Sequence, residues 1–214
     1  MDSNEKLSDA EMDIIRTIAE KGADGASRAI SKMTDSSVKL TISKVYSFPI
    51  EKIGNLISDA EAIVTTIYLK ITGDMAGSIL LVFPSVCALS LVDLLNKRPL
   101  GATSKLSDFD KSTLKEASNI ISGSFLAVLS ERLKLSLVES IPDLTVDMVQ
   151  ATIDSVLIDF AQSSDEAISL EMTFKSTNQQ IEGYFFVLFD SSSAKVILDS
   201  VRKETEKSKK TNKN

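Results

Sequence analysis

Two stretches, Gly77–Asp93 (GSILLVFPSVCALSLVD) and Gly183–Asp199 (GYFFVLFDSSSAKVILD), decide how this chain reads. Placed glycine on glycine, 106 residues apart, they share an apolar strand-like run, a helix-like continuation and a closing aspartate. The same doubling extends outward. Ser107-Asp-Phe-Asp110 repeats Ser8-Asp-Ala-Glu11 at an offset of 99, and each has the form of a capping box that opens a long helix. The first helix carries Met12, Ile15, Ile18, Ala19, Ala26 and Ile30 to about Met33, with a loosening expected near Gly22 and Gly25. The second runs to about Leu133.

After each long helix comes a strand. Val38, Leu40 and Ile42 alternate with polar neighbours up to Pro49, and Leu135 to Ile141 follows the second helix. Short helical connections are expected over Ile50 to Ser58 and Val146 to Asp159. Paired strands come next: Ala62–Ile71 with Met75–Phe83 across Thr72-Gly73-Asp74, and Ala167–Lys175 with Ile181–Phe189. Closing helices span Pro84 to Leu95, with proline in the first turn, and Ser191 to about Lys203.

A half of this size does not bury its sheet face alone, so the expected fold is α/β, a single domain of two pseudo-symmetric repeats. The repeats cover about 8–95 and 107–201 within a domain of residues 1–203. They build one continuous, mostly antiparallel sheet of about six strands, with the two long helices side by side. Residues 204–214 belong to a basic tail without apolar periodicity, read as a disordered end.

Composition narrows the chemistry. The 214 residues contain no histidine, which excludes Ser-His-Asp and Cys-His catalysis and histidine-built zinc sites. Carboxylate, amide, hydroxyl and lysine groups remain. Cys87 lies among Val86, Ala88, Leu89 and Leu91, as a buried structural thiol would, and cannot form an intrachain disulfide. From Arg202 to Asn214 there are six basic and two acidic residues, leaving the body at −10 and arguing against nucleic acid as the ligand. The longest strongly apolar stretch, Ile79–Val92, is broken by Pro84 and falls short of the ~20 residues of a membrane helix. The opening residues have neither a signal-peptide nor a transit-peptide pattern, so the expected location is the cytoplasm.

In the second long helix, Ser112, Glu116 and Asn119 are spaced to share one face, which Gly123 continues. Leu114, Ala117, Ile121, Phe125 and Val128 form the opposite, core-facing side. A polar stripe alone is usually a solvated face. This one is set in a longer pattern: Ser112-x3-Glu116-x2-Asn119-x22-Pro142 resembles the [DS]-x3-E-x2-N-x22-P signature of the CheC, CheX and FliY family of chemotaxis phosphatases. TGDMAGSILLVF at Thr72–Phe83, GASRAISKM at Gly25–Met33 and LKEASNIISGSFLAVLSERL at Leu114–Leu133 are similar to CheC segments, and the doubled unit favours CheC over the single-unit CheX.

The resemblance implies hydrolysis of the aspartyl phosphate of the response regulator CheY. It makes Glu116 and Asn119 the catalytic pair, with Ser112 and Pro142 as substrate-side contacts. The chain needs no metal of its own, since Mg²⁺ would arrive held by the regulator's carboxylates. Phosphorylated CheY is the implied partner, CheD a second one known only through the family, and a monomer is expected from the duplication. Such hydrolysis needs an in-line water and neutralised phosphoryl charge rather than covalent help. Asn119, donor and acceptor at once, suits the water, and Glu116 suits the lysine that regulators keep beside their phosphorylation site.

The first helix departs from the pattern. At the offset of 99 it offers Asp13, Thr17 and Glu20, with Ser43 in place of the proline. Glu20 would bring negative charge toward the phosphoryl oxygens, so one intact and one degenerate site are expected. The alternative reading is a non-catalytic regulator-binding or flagellar or archaellar switch module of the same fold.

Overall fold

A computed structural model describes residues 9–49, 61–161, 166–176, 181–190, 192, 193, 195–197, 199, 200, 202 and 203. The elements run α1 (Asp9–Thr34), β1 (Val38–Pro49), β2 (Ile63–Gly73), β3 (Gly77–Pro84), α2 (Ser85–Leu95), α3 (Asp108–Leu133), β4 (Leu137–Glu139), β5 (Asp143–Met148), α4 (Val149–Ala161), β6 (Glu166–Ser176) and β7 (Glu182–Phe189). The described residues of 192–203 are helical. The connection expected over Ile50–Ser58 and the tail at 204–214 lie outside the described residues.

All described strand pairs are antiparallel, in the order β1-β6-β7-β3-β2, with β4 and β5 both pairing the outer side of β2. The two-fold relation is visible in the register. The offset of 106 that aligns Gly77 with Gly183 also carries Leu80 onto Phe186, and Leu80 is paired with Phe186 across the central β3–β7 ladder. The pseudo-axis therefore passes through that pair.

Seven strands stand where about six were expected, and the second offset explains the difference. Moving β1, Val38–Pro49, by 99 residues gives Leu137–Met148, the first residue of β4 to the last of β5. One strand position is thus split. In β1 the extra, unpaired residue is Ser43, at a bulge between Ile42 and Lys44. The matching residue is Pro142, which has no N–H for a ladder, so three residues, Ser140 to Pro142, oppose two of β2 and the strand breaks. The short helix accordingly starts at Val149, not Val146. Residues 146–148 complete an edge strand instead.

Core formation follows the pleat. Ile79, Leu81 and Phe83 face α1 and α3, while Leu80 and Val82 face α4 in a second, smaller cluster with Phe186 and Leu188. α1 is continuous through Gly22 and Gly25, contrary to the expected loosening. Those glycines serve helix packing instead: a Cβ on Gly22 would lie 2.6 Å from the ring of Phe125, and one on Gly25 3.2 Å from the Ser124 carbonyl. Cys87 is half-buried rather than buried. Pro84 is the N-cap of α2, with extended backbone, rather than a residue of its first turn. Its counterpart Asp190 caps the last helical segment by accepting from the Ser193 N–H at 2.7 Å.

Candidate functional site

The start of α3 is fixed by a buried carboxylate. Asp110 is 2% exposed, and its Oδ2 accepts from the Ser107 N–H at 3.0 Å and the Ser107 hydroxyl at 2.6 Å. The Asp110 N–H in turn donates to Ser107 Oγ, closing the capping box read from the sequence. Oδ1 accepts from Asn96 Nδ2 at 3.1 Å and Arg98 Nη1 at 2.8 Å, tying α3 to the end of α2. Burial opposes the charge of Asp110, but the Ser107 and Arg98 donors outweigh it and hold the carboxyl below its usual value. Asp93, fully buried, does the same for the preceding loop by accepting from the Thr103 N–H and hydroxyl. Its sequence counterpart Asp199 is exposed, so the shared closing aspartates have different surroundings.

From this anchored end the polar stripe runs along α3. Ser112 and Glu116 are exposed and Asn119 is partly exposed, while Leu114, Ala117, Ile121 and Phe125 are buried behind them. Ser112 donates its hydroxyl to the Asp108 carbonyl at 2.9 Å, so it is engaged with its own helix. The side chains of Glu116 and Asn119 make no hydrogen bond or ion pair with any described residue. A carboxylate and a primary amide one turn apart are thus left open to an incoming surface.

Pro142 is brought to the same place. Lys115 Nζ lies 3.7 Å from Asp143 Oδ1, and Glu139 reaches Gly123, so the break from Ser140 to Pro142 runs beside the turn that carries Glu116 and Asn119. Pro142 is buried, whereas its neighbour Ile141 is 91% exposed. The structure therefore gathers Glu116, Asn119 and Pro142 in one region, with Ser112 one turn toward the helix start. Sequence reasoning missed Glu139. Its only written signal was Gly123, the stripe position without a side chain.

Asp13, Thr17 and Glu20 form the corresponding stripe of α1, all exposed. Thr17 donates to the Asp13 carbonyl at 2.9 Å. No amide stands there.

A cleft of about 530 Å³ lies on the opposite face of the sheet, between β2, β5 and α4, lined by Thr66, Tyr68, Lys70, Asp147 and Thr152 among others. Its rim includes Ser140, Ile141 and Asp143, so it reaches the break that borders the stripe, while the stripe itself is an open helix face. Among the described residues no group of histidine, cysteine and acidic side chains could hold a metal, and no helix is long and apolar enough to cross a membrane.

This architecture, a duplicated antiparallel sheet under paired long helices, is that of the CheC, FliY and FliM middle-domain fold. In sequence and fold the chain is CheC-like. The CheY-P phosphatase CheC of Bacillus subtilis is 26% identical over 193 residues, covering 87% of this chain and 91% of that protein. FliY of Thermotoga maritima superposes with a TM-score of 0.74 at 18% identity, over 92% of this chain and 98% of that one. The FliM middle domain from H. pylori gives 0.61 at 15% identity, over 91% and 99%. No family model matches the chain.

Proposed function

We propose that this chain hydrolyses the aspartyl phosphate of phosphorylated CheY through a single site on α3. The observation that carries the reading is the pair Glu116 and Asn119, one turn apart, uncommitted to any described partner and flanked by the Pro142 break. The similarity to a CheY-P phosphatase over 87% of the chain supports it.

The chemistry follows from what the two groups can do. The Asn119 amide accepts from an attacking water with its oxygen and donates to a phosphoryl oxygen with its nitrogen, which holds the water in line. It adds no negative charge beside the phosphoryl group. Glu116 pairs with the regulator's lysine and fixes the two proteins in register. Mg²⁺ belongs to the regulator, where its carboxylates hold the ion and it neutralises phosphoryl charge. α1 supplies packing to α3 but no water-holding group.

The test is loss of phosphate from CheY under single-turnover conditions. Asn119→Ala should lower the saturating rate roughly 10²-fold with little change in half-saturation, because the loss falls on the transition state. Full activity in that variant would refute the catalytic reading. A binding module of the kind expected as the alternative would then remain.

A further inference from the structure

One half-buried acid beside the stripe has no role in this chemistry. Glu139 pairs with Ile71 in the β4–β2 ladder, so its side chain leaves the sheet on the side of the long helices. It ends against α3, where a Cβ built on Gly123 would lie 2.8 Å from Oε1 and 3.8 Å from Oε2. Oε2 is buried without a hydrogen-bond partner. Gly123 is the recess that accommodates this carboxyl, and it stands four residues, one turn, after Asn119.

No described cation compensates it. Of the elements packed on β4, α3 contributes Lys115, which is turned to Asp143, the acid Glu116, and the exposed Glu131 and Arg132 two turns on. β2 contributes Lys70, which lines the cleft on the opposite face. β5 adds only the acids Asp143 and Asp147. Burial therefore acts unopposed and pushes the Glu139 carboxyl up to about 7.

We propose that Glu139 tunes the Asn119 site electrostatically: its charge sets the affinity of α3 for the phosphoryl group. The proposal rests on the phosphatase reading. Neutral Glu139 leaves the anionic phosphoryl group free to seat over Asn119. Ionised Glu139, about one helical turn away in a partly dry recess, repels it. Affinity for the phosphorylated regulator then falls as pH rises through neutrality, by roughly tenfold for a charge at that range.

Two measurements test this with the full chain. The carboxyl carbon of Glu139, followed by NMR in the free protein, should titrate near neutrality in the wild type. In Gly123→Ala, whose methyl displaces the carboxyl from its recess, it should titrate near the ordinary value. Binding of CheY loaded with beryllofluoride as the phosphoryl mimic should weaken roughly tenfold from pH 6 to pH 8 in wild type relative to Glu139→Gln. Gly123→Ala, with the carboxyl ionised at both pH values, should lose the pH dependence. Glu139→Gln keeps the shape of the side chain, so its loss of pH dependence separates charge from packing. An ordinary titration of Glu139, or a wild-type to Glu139→Gln affinity ratio equal at pH 6 and 8, would overturn the proposal. Absence of binding by every variant would overturn the phosphatase reading, and this inference with it, whatever the NMR titration gives.

Discussion

Replacing Asp110 by alanine should destabilise the protein by about 3–5 kcal/mol, the range for breaking a buried pair by removing one partner. The estimate is built from contacts. Asp110 accepts four hydrogen bonds, two from Ser107 and one each from Asn96 and Arg98. The cap itself accounts for about 1 kcal/mol and the charge-assisted bond from Arg98 for about 1.5–3 kcal/mol. Arg98 is 35% exposed in its side chain and rehydrates in part, which keeps the sum from growing further. The pH dependence has a definite sign. The folded carboxyl is held below its ordinary 3.8, so its contribution is fully present above that value and is lost as pH falls through the folded pKa. Urea titrations of wild type and Asp110→Ala, followed by circular dichroism, should therefore differ by the full amount at pH 7 and by progressively less as pH falls below 3.8. A difference under ~1 kcal/mol at pH 7, or one that is unchanged in acid, would show that the node does not anchor α3.

Three further outcomes follow. Glu116→Ala should chiefly weaken binding of phosphorylated CheY, by about 1–3 kcal/mol, with the saturating rate less affected; an isothermal titration alongside single-turnover rates separates the two. Thr17→Ala with Glu20→Ala should leave the rate of phosphate loss largely intact, since both side chains are exposed on α1 and neither is an amide, and a large loss in a folded double variant would reassign the working helix. Gly22→Ala should cost about 1–3 kcal/mol in denaturant titration despite alanine's better helix propensity, because Phe125 is fully buried against Phe185 and has little room to yield.

The two long helices, the paired strands and the doubling were legible because each rests on local pattern: a capping box at Ser107, a period of two, a glycine turn. The split of the strand 137–148 was written in the sequence as well. Leu144, Val146 and Met148 alternate, and the offset of 99 carries β1 onto that span. On an edge strand this pattern is weak, since Val146 and Met148 remain about half exposed and alternation there reflects no full burial. The helix-packing use of Gly22 was not readable, because propensity scores a glycine as a weakness and says nothing of the ring opposite it. Nor could the environment of Glu139 be read: spacing shows that a carboxylate follows a strand residue, while its desolvation depends on a helix sixteen positions earlier.

The pair at Leu80 and Phe186 has one more implication. Were the two halves separate identical chains meeting along β3 and β7, every substitution in the helix would appear on both sides of the axis, and a glutamate that spoiled one site would spoil both. Joining the halves in one polypeptide removes that constraint. Asn119 and Glu20 then occupy related positions in a single molecule, so that the two long helices are free to diverge from one another.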